Sequence, residues 1–300
     1  MNSVDGPARR LLLIYNPTAG RRAHDKLERW RGALAQRGAQ VTLAETQAPL
    51  HAQELARQAD PALFDAVAVA GGDGTINEAV NGLMQGALPL ALLPLGTANV
   101  LAQELNLPSD IDALAQIAAF APARPVWPGE IMAKGMAEPW RFLLMAGIGF
   151  DAEVVANIDL RWKKRLGKSA YVIESLKQLV RRAPRGFTTR IGEVDKTPAA
   201  LVVARAHFYG GRFVLAPSAR LDEPMLHAVL FPGASRFAAL RYMTAMVTGR
   251  LRHQADVEWH TAERIVIDGP KTVPVQIDGD IRAYLPVSIG LSAKPLQIIA

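Results

Sequence analysis

The sequence contains no cysteine. Disulfide bonds and thiolate metal sites therefore cannot hold the fold, and a cysteine nucleophile is excluded. A long apolar run is also missing, because the most apolar stretch, residues 87–102, is interrupted by two prolines and a glycine and falls short of the roughly 20 residues that span a bilayer. The apolar run near the start is too short for a signal-peptide core. We therefore expect a cytoplasmic protein without membrane-spanning segments.

The six histidines include no pair at metal-ligand spacing, so a zinc site is not expected. Charge is unevenly distributed. The segment from Arg161 to Arg185 contains nine Lys or Arg residues and a single acidic residue, Glu174, which gives it a net charge of +8. The whole chain has a net charge of only +6, so the rest of it is slightly acidic. Such a patch attracts polyanions, either nucleic acid or anionic lipid head groups. No recognised nucleic-acid-binding module accompanies the charge, and Trp162 lies among four cations, a combination that favours contact with a membrane surface. A solvated helix face packed on the rest of the protein is the plainer alternative, and both can hold together.

The first 105 residues alternate between apolar strand-like runs and helix-like stretches. The runs at 10–15, 40–45, 66–70 and 90–95 predict strands of a parallel sheet with helices on its faces. Three of them lead into glycine-containing turns, at residues 16–20, 71–75 and 96–99. In a parallel sheet these turns fall on the same edge.

The alternation of strand-like and helix-like segments ends after Pro122, and Pro125, Pro128 and Gly129 mark a domain boundary. Short β-rich segments follow, at 141–145, 200–204, 225–231, 264–267 and 274–277, with helices predicted at 169–182 and 235–248. The pattern predicts an α/β domain over residues 1–124 and a mainly β, sandwich-like domain over 125–300, whose last strand is a candidate for return to the first domain.

The strongest local feature is the run Gly71-Gly72-Asp73-Gly74-Thr75 between a buried strand and a helix. Its glycines can adopt positive φ and let backbone N–H groups approach an anion, and the helix N-terminus adds partial positive charge. A phosphate-binding turn is predicted, with Mg²⁺ or water between Asp73 and the phosphate. Thr75 and Glu78 form a capping-box pattern that would set the helix start. The plainer alternative is a turn in which Asp73 bonds only to its own backbone.

Together these motifs resemble the diacylglycerol kinase catalytic domain family, in its bacterial lipid kinase branch, which is related to sphingosine kinases. The resemblance covers nearly the whole chain. It rests on Asn16-Pro17-x-x-Gly20, Gly71 to Thr75, Gly96-Thr97-Ala98-Asn99, Gly147-Ile148-Gly149-Phe150-Asp151 and Asp278-Gly279-Asp280. The first of these is shared with NAD kinases and phosphofructokinases, so the resemblance implies an α/β first domain of that type.

The resemblance implies transfer of the ATP γ-phosphate to a lipid hydroxyl, with ATP in a cleft between the domains. Asp280 would be the general base, and Asp73 would help to position Mg²⁺. Aspartate at 280 replaces the family's glutamate and shortens the reach by one methylene; a plain Asp-Gly hairpin turn is the alternative. The implied ATP contacts are Asn16, Thr46, Gly71, Gly72, Asp73, Gly74, Thr75, Ile76, Asn77, Gly96 and Thr97.

The resemblance further implies a structural Mg²⁺ in a loop of the second domain. This loop reads Asp222-Glu223-Pro224 where the family usually has Asp-Asp-Gly. Glu223 would supply a side chain, and Arg220 and Met225 would supply carbonyl oxygens. Because Mg²⁺ needs near-octahedral oxygen geometry, the longer side chain and the rigid proline are expected to loosen or abolish this site.

Three functions stay open at the level of sequence. The first is an ATP- and Mg²⁺-dependent kinase for a diacylglycerol-like or related lipid, working at the inner face of the membrane through the basic segment between Arg161 and Arg185. The second is a kinase for a soluble acceptor such as NAD. The third is a catalytically inactive regulator that binds nucleotide or lipid. Exposed strand edges also make a homodimer plausible.

Overall fold

The computed structural model describes residues 7–19, 21–83, 88–149, 152 and 186–300. The chain divides into two compact units. The first comprises residues 1–126 and 294–300, so the end of the chain belongs with its beginning, and the second comprises residues 127–293.

The first unit contains a six-stranded sheet in the order β2-β1-β3-β4-β20-β5, in which β5 alone runs antiparallel to its neighbour. Its strands are β1 (Arg10–Tyr15), β2 (Gln40–Glu45), β3 (Ala66–Gly71), β4 (Leu90–Pro94), β5 (Ala123–Val126) and β20 (Leu296–Ile299). The helices between them are α1 (Arg21–Gln36), α2 (His51–Arg57), α3 (Asp73–Leu83), α4 (Val100–Glu104) and α5 (Ile111–Phe120). A 3₁₀ turn, Pro17–Ala19, follows β1.

The central strands β1, β3 and β4 are buried along almost their whole length, as expected for strands covered on both faces. Alternate side chains of these strands, such as Leu13, Ala68 and Leu93, form one core with α1 and α5, in which Trp30 is fully buried. Helices α2 and α3 pack together, and α3 also contacts β3 and β4. The predicted α/β architecture with a parallel sheet is confirmed.

The second unit contains two six-stranded antiparallel sheets, in the orders β10-β9-β16-β19-β6-β7 and β15-β14-β11-β8-β17-β18. The first sheet consists of β6 (Gly129–Ala133), β7 (Trp140–Phe142), β9 (Thr188–Ile191), β10 (Val194–Lys196), β16 (Arg264–Asp268) and β19 (Val287–Leu291). The second consists of β8 (Met145–Gly149), β11 (Ala200–Ala204), β14 (Leu226–Phe231), β15 (Glu258–Ala262), β17 (Pro274–Ile277) and β18 (Asp280–Tyr284).

Over its described residues, the second unit also contains a small hairpin, a helix and a 3₁₀ turn. The hairpin is formed by β12 (Phe208–Tyr209) and β13 (Phe213–Val214), and helix α6 (Arg236–Val247) precedes the 3₁₀ turn Leu251–His253. The Ser235 side chain caps α6 by accepting a hydrogen bond from the Ala238 N–H.

Both large sheets of the second unit contribute to a single buried core. Ile131 and Ile289 come from one sheet, and Ile148, Leu201 and Ile277 come from the other. The sandwich-like second domain predicted from the sequence is therefore confirmed. Buried residues alternate with exposed ones along its strands where one face meets solvent, as in β9 and β16.

One predicted strand is wrong in its limits. Residues 141–145 do not form a continuous strand, because β7 ends at Phe142 and β8 begins at Met145. The N–H groups of Leu143, Leu144 and Met145 donate instead to the Asp278 carboxylate, which turns this backbone away from the ladder. The predicted helix at 169–182 lies outside the described residues, as do Gly20, Phe150 and Asp151. Among the residues that are described, no helix has the length and apolarity to cross a bilayer.

Gly82 tests how closely α2 and α3 pack. A Cβ atom at Gly82 would lie 2.2 Å from the Gln53 carbonyl oxygen and 2.9 Å from the Arg57 nitrogen. We expect Gly82→Ala to lower the free energy of unfolding by at least about 1–3 kcal/mol through overpacking. Gly32→Ala is the matched control, because Gly32 is an exposed α1 residue with nothing within 4 Å of its added methyl group. That change should stabilise by roughly 0.5–1 kcal/mol. Urea unfolding midpoints of both variants check the pair, and a wild-type midpoint for Gly82→Ala would contradict the close packing.

Candidate active site

The turn after β3 begins α3 earlier than the sequence pattern suggested. The Gly72 carbonyl accepts a hydrogen bond from the Ile76 N–H at 3.1 Å, so the helix starts at Asp73. The predicted capping box at Thr75 and Glu78 is therefore wrong, because Thr75 already lies buried inside the first helical turn. The Thr75 hydroxyl is used for a contact with a different loop.

That loop is the one after β1, and Asn16 is its contact residue. The Asn16 Nδ2 donates to Thr75 Oγ1 at 2.9 Å. The Asn16 Oδ1 accepts hydrogen bonds from the Thr18 N–H at 3.0 Å and from the Thr18 hydroxyl at 2.8 Å. Both ends of the amide are thus engaged, and Asn16 fixes the loop after β1 against the start of α3.

Asp73 joins the turn after β3 to the turn after β4. Its Oδ2 accepts from the Val100 N–H at 3.1 Å, and its Oδ1 accepts from the Leu101 N–H at 3.2 Å. Burial raises the pKa of the Asp73 carboxyl, and the backbone hydrogen bonds act in the opposite direction. Asp73 thus accepts hydrogen bonds from two N–H groups at the start of α4. The sequence did not indicate these partners. Its predicted role in positioning Mg²⁺ stays a prediction.

The same two turns meet backbone to backbone at Gly72 and Gly96. A Cβ atom at Gly96 would lie 2.7 Å from the Gly72 Cα and 2.8 Å from the Asn99 Oδ1. A hydrogen bond of 2.9 Å from the Leu95 N–H to the Gly71 carbonyl extends this contact. Glycine is therefore required at 96 by lack of space.

The remaining predicted ATP contacts divide by exposure. Gly74 is partly exposed and Thr97 is exposed, so both are accessible to a ligand. Thr46 is half-buried beyond β2, and its N–H donates to the Tyr15 carbonyl at 2.8 Å. Ile76 and Asn77 are buried, which makes them supports of the turn rather than surface groups. The ATP contacts themselves stay predictions.

In the second unit, Asp278 and Gly279 form the two-residue turn between β17 and β18. Both have positive φ, of 47° and 93°, as expected for an Asp-Gly hairpin of this kind. The Asp278 carboxylate accepts hydrogen bonds from three successive N–H groups, at 3.0, 3.0 and 2.9 Å. Asp278 is therefore a structural residue that joins the hairpin to the start of β8.

Asp280 is the first residue of β18, directly after this turn. Its side chain is 50% exposed and forms an ion pair with Arg282 at 3.2 Å. The Arg282 guanidinium also lies over the Trp140 ring, 4.5 Å from its centroid. The tight hairpin and an accessible carboxylate thus occur together. The assignment of Asp280 as general base stays a prediction.

The loop predicted to hold a structural Mg²⁺ has a different partner. Arg205 is fully buried, and its guanidinium donates to backbone carbonyl groups throughout this loop. The acceptors are the carbonyl oxygens of Trp127 (2.7 Å), Arg220 (3.1 Å), Leu221 (3.1 Å), Glu223 (2.6 Å) and Met225. The Glu223 carboxylate points elsewhere and pairs with Arg220 at 3.2 Å.

The predicted ligand set of Arg220, Glu223 and Met225 therefore does not fit Mg²⁺. The carbonyl oxygens that would bind the ion already accept hydrogen bonds from a cation supplied by the chain. Within the described ranges, no group of three or more His, Asp or Glu side chains could hold a metal ion. The sequence pattern missed Arg205 because it lies 15 residues before Arg220 on a different strand connection.

The double acceptor role of Asp73 can be tested by amide substitution. In Asp73→Asn an NH₂ group replaces one of the two carboxylate oxygens. One of the two backbone N–H groups then loses its acceptor and faces a second donor. We expect a loss of roughly 1.5–3 kcal/mol in the free energy of unfolding and faster hydrogen exchange at Val100 and Leu101. Asp110→Asn is the matched control, because Asp110 caps α5 through a single N–H, that of Ala113, which asparagine accepts equally well. Equal stability of the two variants would contradict the role of Asp73.

Comparison with known proteins agrees with this architecture. Residues 10–131 match the family model of the diacylglycerol kinase catalytic domain, and residues 145–300 match the YegS C-terminal NAD kinase beta sandwich-like domain. A protein named "Diacylglycerol kinase" from Bacillus subtilis (strain 168) is 28% identical over 284 residues, covering 93% of this chain and 92% of that protein. A protein named "Probable lipid kinase YegS-like" from Pseudomonas aeruginosa PAO1 is 31% identical over 226 residues, covering 74% of this chain and 72% of its own length.

Solved structures share the fold over almost the full length. A crystal structure described as "a putative diacylglycerol kinase from Bacillus anthracis str. Sterne" has a TM-score of 0.80 at 23% identity, covering 100% of this chain and 97% of that one. Yeast NADH kinase in complex with NADH is more distant, with a TM-score of 0.53 at 10% identity, covering 99% of this chain and 84% of that one. The matched domains, taken with the identity to the bacterial relatives, show that the chain belongs to the diacylglycerol kinase catalytic domain family, in the branch of the bacterial YegS-like lipid kinases.

Proposed function

We propose that this kinase-family protein transfers the γ-phosphate of ATP to a hydroxyl group of a diacylglycerol-like or related lipid. The observation that carries the proposal is the locked edge of the parallel sheet. The turns after β1, β3 and β4 are joined there by Asn16, Asp73 and the contact of Gly72 with Gly96. The names of the bacterial relatives support a lipid as the acceptor.

This edge suits the phosphate groups of ATP for electrostatic reasons. The N–H groups and the partial positive charge at the start of α3 attract anions, and the glycines allow close backbone approach. Gly74 and Thr97 are accessible for contact with the nucleotide. Mg²⁺ bound to ATP would supply charge neutralisation at the transferring phosphoryl group. Because the Asp73 carboxylate is occupied by backbone donors, we assign Asp73 as a positioning residue that keeps the two glycine turns in register.

Asp280 is proposed as the general base that accepts the proton of the lipid hydroxyl group. Phosphoryl transfer needs an in-line attacking oxygen and a proton acceptor within hydrogen-bond distance of it. The Asp278 turn holds Asp280 at the end of a strand, and Arg282 orients the carboxylate from one side. Half of the side chain remains exposed, so an acceptor can reach it.

The lipid substrate would be met at the membrane surface. The basic segment between Arg161 and Arg185 is proposed to bind anionic head groups, with Trp162 at the interface. That segment lies outside the described residues, so its charge and composition alone support this part of the proposal. Release of bound protein from anionic vesicles by increasing salt would test it.

The first experiment measures ADP release from ATP and Mg²⁺ over a panel of lipids in mixed micelles, with NAD and acceptor-free samples as controls. Lipid-dependent ADP release supports the proposal and begins to identify the substrate. Turnover of NAD without lipid would favour a kinase for a soluble acceptor, the reading suggested by the distant likeness to yeast NADH kinase. ATP binding without turnover of any acceptor would favour a regulator.

Asp280→Asn is expected to lower kcat by roughly 10²–10⁴-fold while leaving ATP affinity and the unfolding midpoint near wild type, because only the proton acceptor is lost. Asp195→Asn is the matched control. Asp195 also lies in a hairpin of the second unit and pairs with a nearby arginine, Arg190, at 2.7 Å. Its variant should retain wild-type activity. Full activity of the Asp280 variant would remove this carboxylate from the mechanism.

A further inference from the structure

The segment 220–225 directs its backbone carbonyl groups inward. Four of them, from Arg220, Leu221, Glu223 and Met225, converge on the Arg205 guanidinium, and the Trp127 carbonyl supplies a fifth acceptor. Buried carbonyl oxygens that converge need hydrogen-bond donors or a cation between them. Arg205 supplies that cation from within the chain.

A guanidinium group suits this position because its N–H donors point in several directions within one plane. Nε donates to the Trp127 carbonyl and Nη1 to the Met225 carbonyl, and the two N–H groups of Nη2 are shared among three further carbonyl oxygens, those of Arg220, Leu221 and Glu223. Arginine is not deprotonated in proteins, so the guanidinium brings a positive charge to this position.

We propose that Arg205 takes the place of the structural divalent cation that the family resemblance implied for this loop, so that the second unit is stable without metal. A Mg²⁺ ion would need near-octahedral oxygen ligands at about 2.0–2.1 Å. The two carbonyl groups expected among them, those of Arg220 and Met225, are committed to the guanidinium, and the expected side-chain ligand, the Glu223 carboxylate, pairs with Arg220 instead. A second cation at this point would also be repelled by the buried charge.

Glu223 and Pro224 are explained by the same exchange. With no ion to bind, the carboxylate at 223 is released to the surface, where its side chain is 56% exposed beside Arg220. Only the Glu223 carbonyl keeps an inward role, at 2.6 Å from Arg205. Proline at 224 removes one N–H donor and stiffens the loop without costing a ligand. The altered loop sequence and the buried arginine are two parts of one replacement.

This proposal makes a prediction about thermal stability that does not depend on catalysis. The full chain is dialysed against EDTA without nucleotide, and Tm is measured before and after addition of Mg²⁺ or Ca²⁺. Wild-type Tm should be unchanged by either treatment. Arg205→Ala should lower Tm by roughly 10 °C, because five buried carbonyl groups lose their donor. Mg²⁺ or Ca²⁺ should then raise the Tm of this variant in a saturable way.

Two further variants keep the test decisive. Arg205→Lys retains the charge with three donors instead of five, so its Tm should lie between wild type and Arg205→Ala. Arg220→Ala is the matched control: it removes an exposed arginine of the same loop and leaves the carbonyl group in place, so Tm should stay near wild type. If Arg205→Ala cannot be recovered in folded form, the proposal is judged on the Tm of Arg205→Lys and on the metal content of the wild-type protein.

The proposal is overturned if wild-type protein keeps one equivalent of Mg²⁺ through dialysis against EDTA, if EDTA lowers its Tm, or if Arg205→Ala is as stable as wild type without metal. None of these readouts uses ATP or a lipid. A protein with no kinase activity would therefore leave this proposal standing, and a metal-requiring second unit would leave the kinase proposal standing.

Discussion

Backbone N–H and C=O groups that leave a sheet or helix inside a protein must find a partner other than water, and this constraint organises both units. Three such places are each served by one charged side chain from elsewhere in the sequence. Asp73 accepts from the start of α4, Asp278 accepts from residues 143–145, and Arg205 donates to residues 220–225. Hydrogen bonds to ionised groups are the stronger kind, and leaving their partners unpaired is costly. The loops at these three places are therefore each held by a single charged side chain.

The same constraint separates the two aspartates of the Asp278-Gly279-Asp280 motif. Asp278 has a left-handed backbone and three N–H partners, so its carboxylate is fully used by the fold. Asp280 has one surface ion pair and keeps half of its side chain exposed. The fold uses the Asp278 carboxylate, so the Asp280 carboxylate is the one that remains available for chemistry. A comparable division applies to the turn after β3, where Asp73 serves the fold and the adjacent glycines remain accessible.

Much of the fold could be predicted from the sequence, because local pattern determines it. The strands at Arg10–Tyr15, Gln40–Glu45 and Pro274–Ile277 have the predicted limits, since apolar runs bounded by turn residues leave few other choices. The contacts of Asp73 and Arg205 could not be predicted in this way. Their partners lie 27 residues away for Val100 and 78 residues away for Trp127, and a pattern read within one segment contains no information about them. The start of α3 was missed for a related reason, because the Thr75 hydroxyl bonds to Asn16 in another loop.

The departures from the family pattern follow from whether a residue acts through its side chain or through its backbone. At Arg220, Glu223 and Met225 the inward groups are carbonyls, which every residue possesses, so the side chains can change once another cation is present. When an arginine replaces a metal ion, only the source of the positive charge changes, and the backbone conformation of the loop is preserved. At position 280 the side chain itself would do the chemistry, and no backbone group can substitute for it. Aspartate there keeps the carboxylate but moves it one methylene closer to the turn. With Asp280 as the proposed general base, the acceptor hydroxyl group would have to approach the hairpin more closely, and the Asp278 turn would then take part in positioning the substrate.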